Sequence, residues 1–265
     1  MTALDAWRAG RISAEVAVAR LVLAGEQDAI AAVPELASVA KRHGLAALQA
    51  VRTAVNHAMP ATPAAIGRMF DAAVAASPEA SVAACSLGDA TLLARASAEL
   101  RSWLCHEDLL QPGATVLDLG CGIGRMTATL APVATSVLGL DVSPGMIATA
   151  RQRCTVANAR FALTDGTGLG ELPDAGFDLV LAADSFPYLV QAGVAERHVI
   201  DAARVLRPGG ALVVLNWSYR SLDQDRAEAD TWAARHGFAL RAAGTAPFSL
   251  WDGTAFVLIA ARRSC

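Results

Sequence analysis

Three glycines at alternate positions, Gly120, Gly122 and Gly124, directly follow an apolar segment that carries the carboxylate of Asp118. Glycine has no Cβ and tolerates positive φ, so a turn built in this way lets backbone N–H groups approach a ligand closely. The turn also contains Cys121, a small residue that is readily buried in such a loop. We therefore predict a tight turn at the end of a buried parallel strand, shaped for a nucleotide-like group.

Two more carboxylates end later strand-like segments. Asp141 closes the apolar run 137–140, and a carboxylate about 20 residues after the glycines can accept hydrogen bonds from both ribose hydroxyls. Asp165 closes the segment 160–164 and is followed by Gly166. Ligands of open α/β sheets bind at the carboxyl ends of the strands. We expect the three acids to share one binding cradle.

Strand and helix signals alternate after the glycine turn, which predicts an α/β fold with a doubly wound, mostly parallel sheet. A dinucleotide fold requires GxGxxG or GxGxxA. Here the third glycine comes one residue early, and Arg125 occupies the position that must be small. The spacing therefore argues against an NAD(P) oxidoreductase.

Several ordered motifs resemble those of class I S-adenosylmethionine (SAM)-dependent methyltransferases. They are the DxGxGxG run at 118–124, the DVSPGM run at 141–146, the FDLV run at 177–180 and the RVLRPGG run at 204–210. The resemblance covers roughly residues 77–262. It implies a seven-stranded sheet whose last strand is antiparallel, preceded here by an N-terminal all-helical subdomain.

The resemblance also implies S-adenosyl-L-methionine as the cofactor and assigns roles around it. Asp141 would hold the ribose, Asp165 the adenine amino group, and Asp118 would lie near the methionine end. The complete set of expected cofactor contacts is Asp118, Gly120, Cys121, Gly122, Gly124, Asp141, Val142, Met146, Asp165, Gly166, Ala182 and Ala183. The acceptor atom, whether O, N, S or C, is left open.

The candidate catalytic side chains follow the fourth and fifth strands: Asp184, Tyr188 and Tyr219. A general base is needed only if the acceptor atom carries a proton. For both tyrosines a role as pocket wall is the alternative. The loop 184–188 lacks the paired prolines typical of enzymes that methylate nucleic-acid bases or protein amides, and only Asn216 is present where a metal-dependent catechol-type enzyme has an Asp-Asn pair. We predict no metal.

The segment from Leu4 to about Met59 is alanine-rich and helical and carries no recognisable chemistry. Met59-Pro60-Ala61-Thr62-Pro63 interrupts the pattern, so we predict a helical subdomain at 1–62 and the SAM-binding domain at 63–265. The helical part is interpreted as a cap or a dimerisation module that would form a homodimer, with a substrate-reading role as the alternative. Phe70, Asp71, Ser86 and Leu87 are candidate pocket residues.

The composition indicates which classes of binding partner are not expected. The net charge is −3, and Lys41 is the single lysine among 22 basic residues, so a nucleic acid is not expected. No apolar run reaches the roughly 18 residues of a membrane span, and the N-terminus lacks a signal-peptide centre, which together predict a cytoplasmic location. The five cysteines contain no CxxC pair.

The sequence thus predicts a SAM-dependent methyltransferase with a small-molecule acceptor, a peptide being the alternative acceptor. Two rivals remain. One is a non-catalytic SAM- or nucleoside-binding module that recruits a partner through its helical N-terminus. The other is the NAD(P) oxidoreductase, which Arg125 disfavours.

Overall fold

Seven strands form one sheet in this computed structural model, which describes residues 2–55 and 62–261. The strands are β1 (Thr115–Leu119), β2 (Ser136–Asp141), β3 (Ala159–Leu163), β4 (Phe177–Ala183), β5 (Leu206–Leu215), β6 (Phe238–Thr245) and β7 (Ala255–Ala260). Their spatial order is β3-β2-β1-β4-β5-β7-β6. Only the pairings of β7 with β5 and with β6 are antiparallel. The predicted mostly parallel sheet with an antiparallel last strand is confirmed.

Helices cover both faces of this sheet and precede it at the N-terminus. They are α1 (Ala3–Arg8), α2 (Ala14–Ala24), α3 (Gln27–Ala31), α4 (Pro34–His43), α5 (Ala46–Ala54), α6 (Pro63–Ala76), α7 (Pro78–Val82), α8 (Ala90–His106), α9 (Arg125–Leu130), α10 (Pro144–Arg153), α11 (Phe186–Gln191), α12 (Ala195–Val205) and α13 (Leu222–Arg235), with a 3-10 turn at Ala84–Ser86. Successive side chains of β1 pack on opposite faces of the sheet. Val116 packs in the hydrophobic core that contains α8, and Leu117 packs in the core that contains α12. Burial on both faces explains why the central strands are continuously apolar.

Residues 207–210 of the RVLRPGG run lie within the bounds of β5, where they form an irregularity. Leu206 pairs with Phe177, and regular pairing resumes only between Ala211 and Leu179. Gly209 has φ +84°, a conformation that glycine adopts without strain. The chain therefore leaves α12 through a bulged segment and enters the central part of β5 at Ala211.

The N-terminal helices have a core of their own and also dock on the sheet-bearing part of the chain. Leu21, Leu36 and Leu48 are fully buried among α2, α4 and α5. The docking contacts include a hydrogen bond from the Ser13 N–H to the Ser249 carbonyl, 2.9 Å long. Residues 59–61 of the interruption predicted to separate the two parts lie outside the described residues, and Thr62 caps α6. The division into domains stays a prediction.

No helix in the described ranges is both long and apolar enough to cross a lipid bilayer.

Candidate functional site

A cavity of about 300 Å³ opens at the carboxyl ends of β1, β2 and β4. One part of its wall comes from these strand ends and the glycine turn. Another part comes from helices that precede the sheet: Leu23 of α2, Leu48 and Val51 of α5, and Ile66 and Phe70 of α6 all line it. The cavity therefore lies where these helices meet the strand ends.

All three glycines of the turn have positive φ, at +73° for Gly120, +54° for Gly122 and +78° for Gly124. A Cβ on Gly122 would lie 2.7 Å from Val82 Cγ1, so this position also lacks room for a side chain. Gly120, Cys121 and Gly122 line the cavity, whereas Gly124 lies behind it as the N-cap of α9.

The N–H groups of the turn are directed differently from expectation. Gly120 and Cys121 both donate to the Leu140 carbonyl, at 2.8 and 2.9 Å, and Gly122 donates to Asp141 Oδ2 at 2.8 Å. These three donors fix the turn to β2 and are not free for a ligand. The glycines thus serve close approach of a bound molecule rather than a cradle of N–H donors.

Asp141 lies at the cavity wall with both carboxylate oxygens already oriented by the backbone. Oδ2 accepts from Gly122, and Oδ1 accepts from the Ser143 N–H at 2.9 Å. Burial raises the pKa of Asp141, and the backbone donors partly oppose that rise. Because a carboxylate oxygen can accept a second hydrogen bond, this geometry fits a pair of ribose hydroxyls. Val142 and Met146 line the cavity beside it.

Asp118 is almost completely buried at the end of β1 and lines the same cavity. Burial raises its pKa to about 6, while a hydrogen bond of 2.6 Å from the Thr127 hydroxyl acts in the opposite direction. Ala183 also lines the cavity, but Ala182 is fully buried in the core below the sheet and does not. The structure brings Asp118 and Ala183 to the site and leaves Ala182 out.

Asp165 is not brought to the other acids. Its side chain is exposed and accepts from the N–H and the hydroxyl of Thr167, at 2.9 and 2.8 Å. These two bonds lower the pKa of Asp165. The neighbouring Thr164 and Gly166 line the cavity instead. The buried imidazole of His198 on α12 lines it too.

Asp184 is held in place by two side-chain donors. Asn216 Nδ2 donates to Oδ1 at 2.6 Å and Trp251 Nε1 donates to Oδ2 at 2.9 Å. Burial raises the pKa of Asp184 to about 6, against the field of Arg125 and these hydrogen bonds. The carboxylate is therefore ionised at neutral pH and rigidly oriented, as a proton acceptor needs to be.

Both candidate tyrosines line the cavity and contact one another. Their rings meet edge to face, with centroids 5.6 Å apart, and Phe70 packs in the same way against Tyr188 at 4.9 Å. Burial raises the pKa of Tyr188, which lies in the protein interior. Loss of solvent around the hydroxyl also raises the pKa of Tyr219, although half of that residue is exposed. Both phenols stay protonated at neutral pH and cannot act as bases.

Sequence reasoning missed several residues of the site. Arg125 lines the cavity with a buried Nη2 that has no hydrogen-bond partner among the described residues. Asn216 and Trp251 orient Asp184 from β5 and the β6–β7 connection. No sequence pattern signals these contacts, because they join segments that are more than thirty positions apart. Of the four candidate pocket residues, Phe70 lines the cavity and Ser86 and Leu87 do not, while Asp71 bonds to the turn after β2.

Comparison with known proteins identifies the segment that carries most of the strand-end residues of this site. The family model described as "Methyltransferase domain" matches residues 116–210. Residues 116–210 form a methyltransferase domain. That domain begins with the DxGxGxG strand and turn and ends in the RVLRPGG segment, so it contains the glycine turn, Asp141 and Asp184.

Two curated relatives of this methyltransferase domain are named for quinone-type substrates. The 2-methyl-6-phytyl-1,4-hydroquinone methyltransferase of Synechocystis sp. is 36% identical over 115 residues, which are 43% of this chain and 35% of that enzyme. The demethylmenaquinone methyltransferase of Tropheryma whipplei (strain Twist) is 40% identical over 108 residues, 40% of this chain and 43% of that enzyme. The chain thus spans less than half the length of either relative.

A solved structure extends the likeness in fold beyond the methyltransferase domain. The [4+2]-cyclase SpnF superposes with a TM-score of 0.54 at 19% identity and covers 76% of this chain and 97% of its own. At this identity the likeness concerns the fold alone. Since the name of that protein is a cyclase, the fold by itself does not decide the reaction.

The residues present fit the cofactor of the methyltransferase domain, S-adenosylmethionine. Asp141 offers two oriented acceptors for ribose hydroxyls. The Arg125 guanidinium donates to the Ser97 hydroxyl through Nη1, and its buried Nη2, which has no hydrogen-bond partner among the described residues, suits the carboxylate of the amino-acid end. Asp118 supplies a buried acid on the same wall, suited to the ammonium group.

Proposed function

We propose that this protein transfers a methyl group from SAM to a small, largely apolar acceptor bound beneath the N-terminal helices. The observation that carries the proposal is the cavity itself. One continuous cavity contains the cofactor-type residues Asp118 and Asp141, the oriented carboxylate Asp184, and a wall of aliphatic and aromatic side chains. A site of this kind needs both halves, because cofactor and acceptor must lie side by side.

The part of the cavity wall that comes from α5 and α6 indicates the character of the acceptor. Leu48, Val51, Val55, Ile66 and Phe70 contribute no charge, and they come from α5, α6 and the residue after α5. Arg52 of α5 also lines the cavity, and its Nη1 donates to the Val22 carbonyl at 2.8 Å. An apolar wall with few polar groups favours a small organic molecule over a peptide, whose backbone would need hydrogen-bond partners. The quinone and hydroquinone names of the two relatives agree with this chemistry.

The cofactor, when bound, supplies a methyl group on a positively charged sulfur. The chain contributes binding and orientation. Asp141 holds the ribose and fixes one end of the cofactor, with the glycine turn allowing close approach. We place Gly120, Cys121 and Gly122 under the cofactor, with Val142, Met146 and Gly166 beside it, Asp118 and Ala183 toward its amino-acid end, and Gly124 acting through the turn.

Asp184 acts on the acceptor as its general base. Its carboxylate accepts the proton of an acceptor hydroxyl, and the two donors Asn216 and Trp251 keep it oriented. General-base assistance of this kind contributes about 10²–10⁴ in rate. Tyr188 and Tyr219 stay protonated and orient the acceptor through their hydroxyls and rings. An acceptor oxygen is the atom we favour, since it is the one that needs this base.

The test is cofactor turnover with a panel of small aromatic acceptors that includes ring hydroxyls and hydroquinones. We expect S-adenosylhomocysteine (SAH) to form together with a product heavier by one methylene unit. Asp184→Asn should lower turnover and leave SAH affinity within twofold. The matched control is Asp223→Asn, because that carboxylate is 96% exposed and lies outside the cavity.

The non-catalytic module remains the rival. It predicts that calorimetry detects binding of SAH while no acceptor in the panel promotes SAH formation from SAM. The same result with both wild type and Asp184→Asn would contradict methyl transfer and favour recruitment of a partner.

A further inference from the structure

The end of the cofactor site that would hold the adenine lacks the acid that the family resemblance assigns to it. Asp165 is exposed, accepts both of its hydrogen bonds from Thr167, and is not part of the cavity wall. An acceptor for the amino group of adenine has to face the cavity. Another residue must supply it if adenine is recognised at all.

His198 is a buried polar side chain on this side of the cavity, near enough to Asp165 for their charges to interact. It is 2% exposed and lines the cavity. Its Nδ1 lies 2.9 Å from the Val194 carbonyl oxygen. A carbonyl oxygen can only accept, so Nδ1 carries the proton, and in the neutral ring Nε2 is left with a lone pair.

The neutral form is the one that the surroundings favour. Burial lowers the pKa of His198, with the bond to Val194 acting the other way. Nε2 makes no hydrogen bond to residues 2–55 or 62–261. The ring therefore offers one unused acceptor atom.

The position of His198 is fixed relative to the loop after β3. The Leu169 N–H donates to Asp201 Oδ2 at 2.7 Å, and Arg204 Nη2 donates to the Leu169 carbonyl at 2.8 Å. His198 lies one turn before Asp201 on α12, next to this loop. Thr164 and Gly166, which begin the loop, line the same cavity.

We propose that Nε2 of His198 accepts a hydrogen bond from the exocyclic amino group of the adenine and thereby selects 6-aminopurine nucleosides. The proposal rests on the proposed function, since it requires SAM or SAH in this cavity. A 6-oxopurine would place a carbonyl oxygen against Nε2, so that two acceptors would face each other. His198 would thus take the role that the sequence pattern assigns to Asp165.

The test measures base selectivity by calorimetry with three ligands: SAH, its 6-unsubstituted purine analogue and S-inosylhomocysteine. We expect wild type to bind SAH about fivefold to tenfold more tightly than the unsubstituted analogue, the effect of one neutral hydrogen bond. S-inosylhomocysteine should bind more weakly still. His198→Ala should bring the first ratio close to one, and His198→Gln, which keeps an acceptor oxygen, should restore part of it.

Asp165→Ala is the competing variant, and it should leave the ratio as in wild type. The inference is overturned if His198→Ala keeps the wild-type ratio or if Asp165→Ala abolishes it. If wild type binds none of the three ligands, the cofactor assignment fails instead, so the two failures are distinguishable.

Nitrogen NMR of the imidazole provides a second measurement that needs no variant to fold. The free protein should show His198 protonated at Nδ1, and SAH should shift the Nε2 resonance toward that of a hydrogen-bonded acceptor. The unsubstituted analogue should leave it unchanged. A ring protonated at Nε2, or equal shifts with both ligands, would also overturn the inference.

Discussion

At the scale of single residues, the acids near the strand ends differ in their burial and in their pKa values, although the sequence places each of them in a similar position. Burial raises the pKa of Asp118 and of Asp184 to about 6. Hydrogen bonds from Thr167 lower the pKa of the exposed Asp165. Burial penalises the charged form, whereas donors stabilise it, so the environment rather than the residue type assigns the roles.

For Asp184, the raised pKa predicts the acidic limb of the pH–rate profile. Turnover at saturating SAM should rise between pH 5 and 7 with a midpoint near 6, because the ionised form accepts the acceptor's proton. Asp184→Asn should remove the limb and lower kcat about 10²- to 10⁴-fold. Asp118→Asn is the control. The pKa of Asp118 is also about 6, but the variant should keep the acidic limb because Asp118 is not the proposed base. A profile unchanged in Asp184→Asn would contradict its role as base.

For Asp118, the same rise predicts an effect on stability. The pKa of Asp118 in the folded protein, about 6, exceeds the ordinary aspartate pKa of 3.8, so the stability that this residue contributes is present below pH 4 and lost as the pH rises through 6. Asp118→Asn lacks this titration. Relative to the variant, wild type should lose about 2–3 kcal/mol of unfolding free energy between pH 4 and 7. Urea denaturation at several pH values measures this, and a pH-independent difference would contradict the burial argument.

At the scale of secondary-structure elements, hydrogen bonds join α6 to the turn that follows β2. Asp71 Oδ1 accepts from the Ser143 hydroxyl at 2.6 Å and from the Gly145 N–H at 2.8 Å. The approach is close, because a Cβ on Gly67 would lie 2.6 Å from the Val142 carbonyl oxygen. The helix therefore covers the ribose end of the site, and its cofactor-facing position depends on Asp71.

Removing this carboxylate should loosen the cover over the cofactor. We expect Asp71→Ala to weaken SAH binding about threefold to tenfold, the equivalent of one or two lost hydrogen bonds. Amide hydrogen exchange in residues 63–76 should also become faster. Asp71→Asn keeps an acceptor oxygen and should behave nearly as wild type.

A matched control exists on the neighbouring helix. Glu79 of α7 pairs with Arg153 of α10 at 2.8 Å, in a partly exposed position. Exposed ion pairs contribute about 0–1 kcal/mol, so Glu79→Ala should change SAH affinity less than twofold. Equal effects of the two alanine variants would contradict a specific role for Asp71.

At the scale of the whole molecule, the acceptor half of the cavity depends on how the N-terminal helices dock. Arg20 of α2 forms a hydrogen-bonded ion pair with Asp252, which itself lines the cavity. The adjacent Trp251 orients Asp184. The helices are therefore connected to the residue proposed as the base, which favours the cap and substrate-reading interpretations of residues 1–62.

A substitution at the mouth of the cavity separates acceptor binding from cofactor binding. Leu23 is 43% exposed and lines the cavity. Leu23→Asp should raise KM for an apolar acceptor about fivefold or more, because apolar contact area is lost, and should leave SAH affinity unchanged. Val156→Asp is the control, since Val156 is 42% exposed and lies outside the cavity wall. An unchanged KM in Leu23→Asp would place the acceptor elsewhere.

The sequence by itself determined the fold and two of the acids that line the cavity, Asp118 and Asp141. Alternating apolar segments, the spaced glycines and the acid after β2 are local patterns, and strand-end residues of a parallel sheet must meet at one edge. These patterns predicted the mostly parallel sheet, and the family resemblance that they carry correctly implied seven strands with an antiparallel last strand. They also supplied Asp141 at the cavity wall.

Only the tertiary structure decided the acceptor half and the adenine end of the cofactor site. Trp251 and Asn216 reach Asp184 from other segments, and His198 meets the loop after β3 because α12 is bonded to it. Such contacts depend on the packing of distant elements, and no spacing along the chain encodes them. Asp165 illustrates the limit: the motif puts an acid at the strand end, but a two-residue hydrogen-bonded turn directs its side chain into solvent.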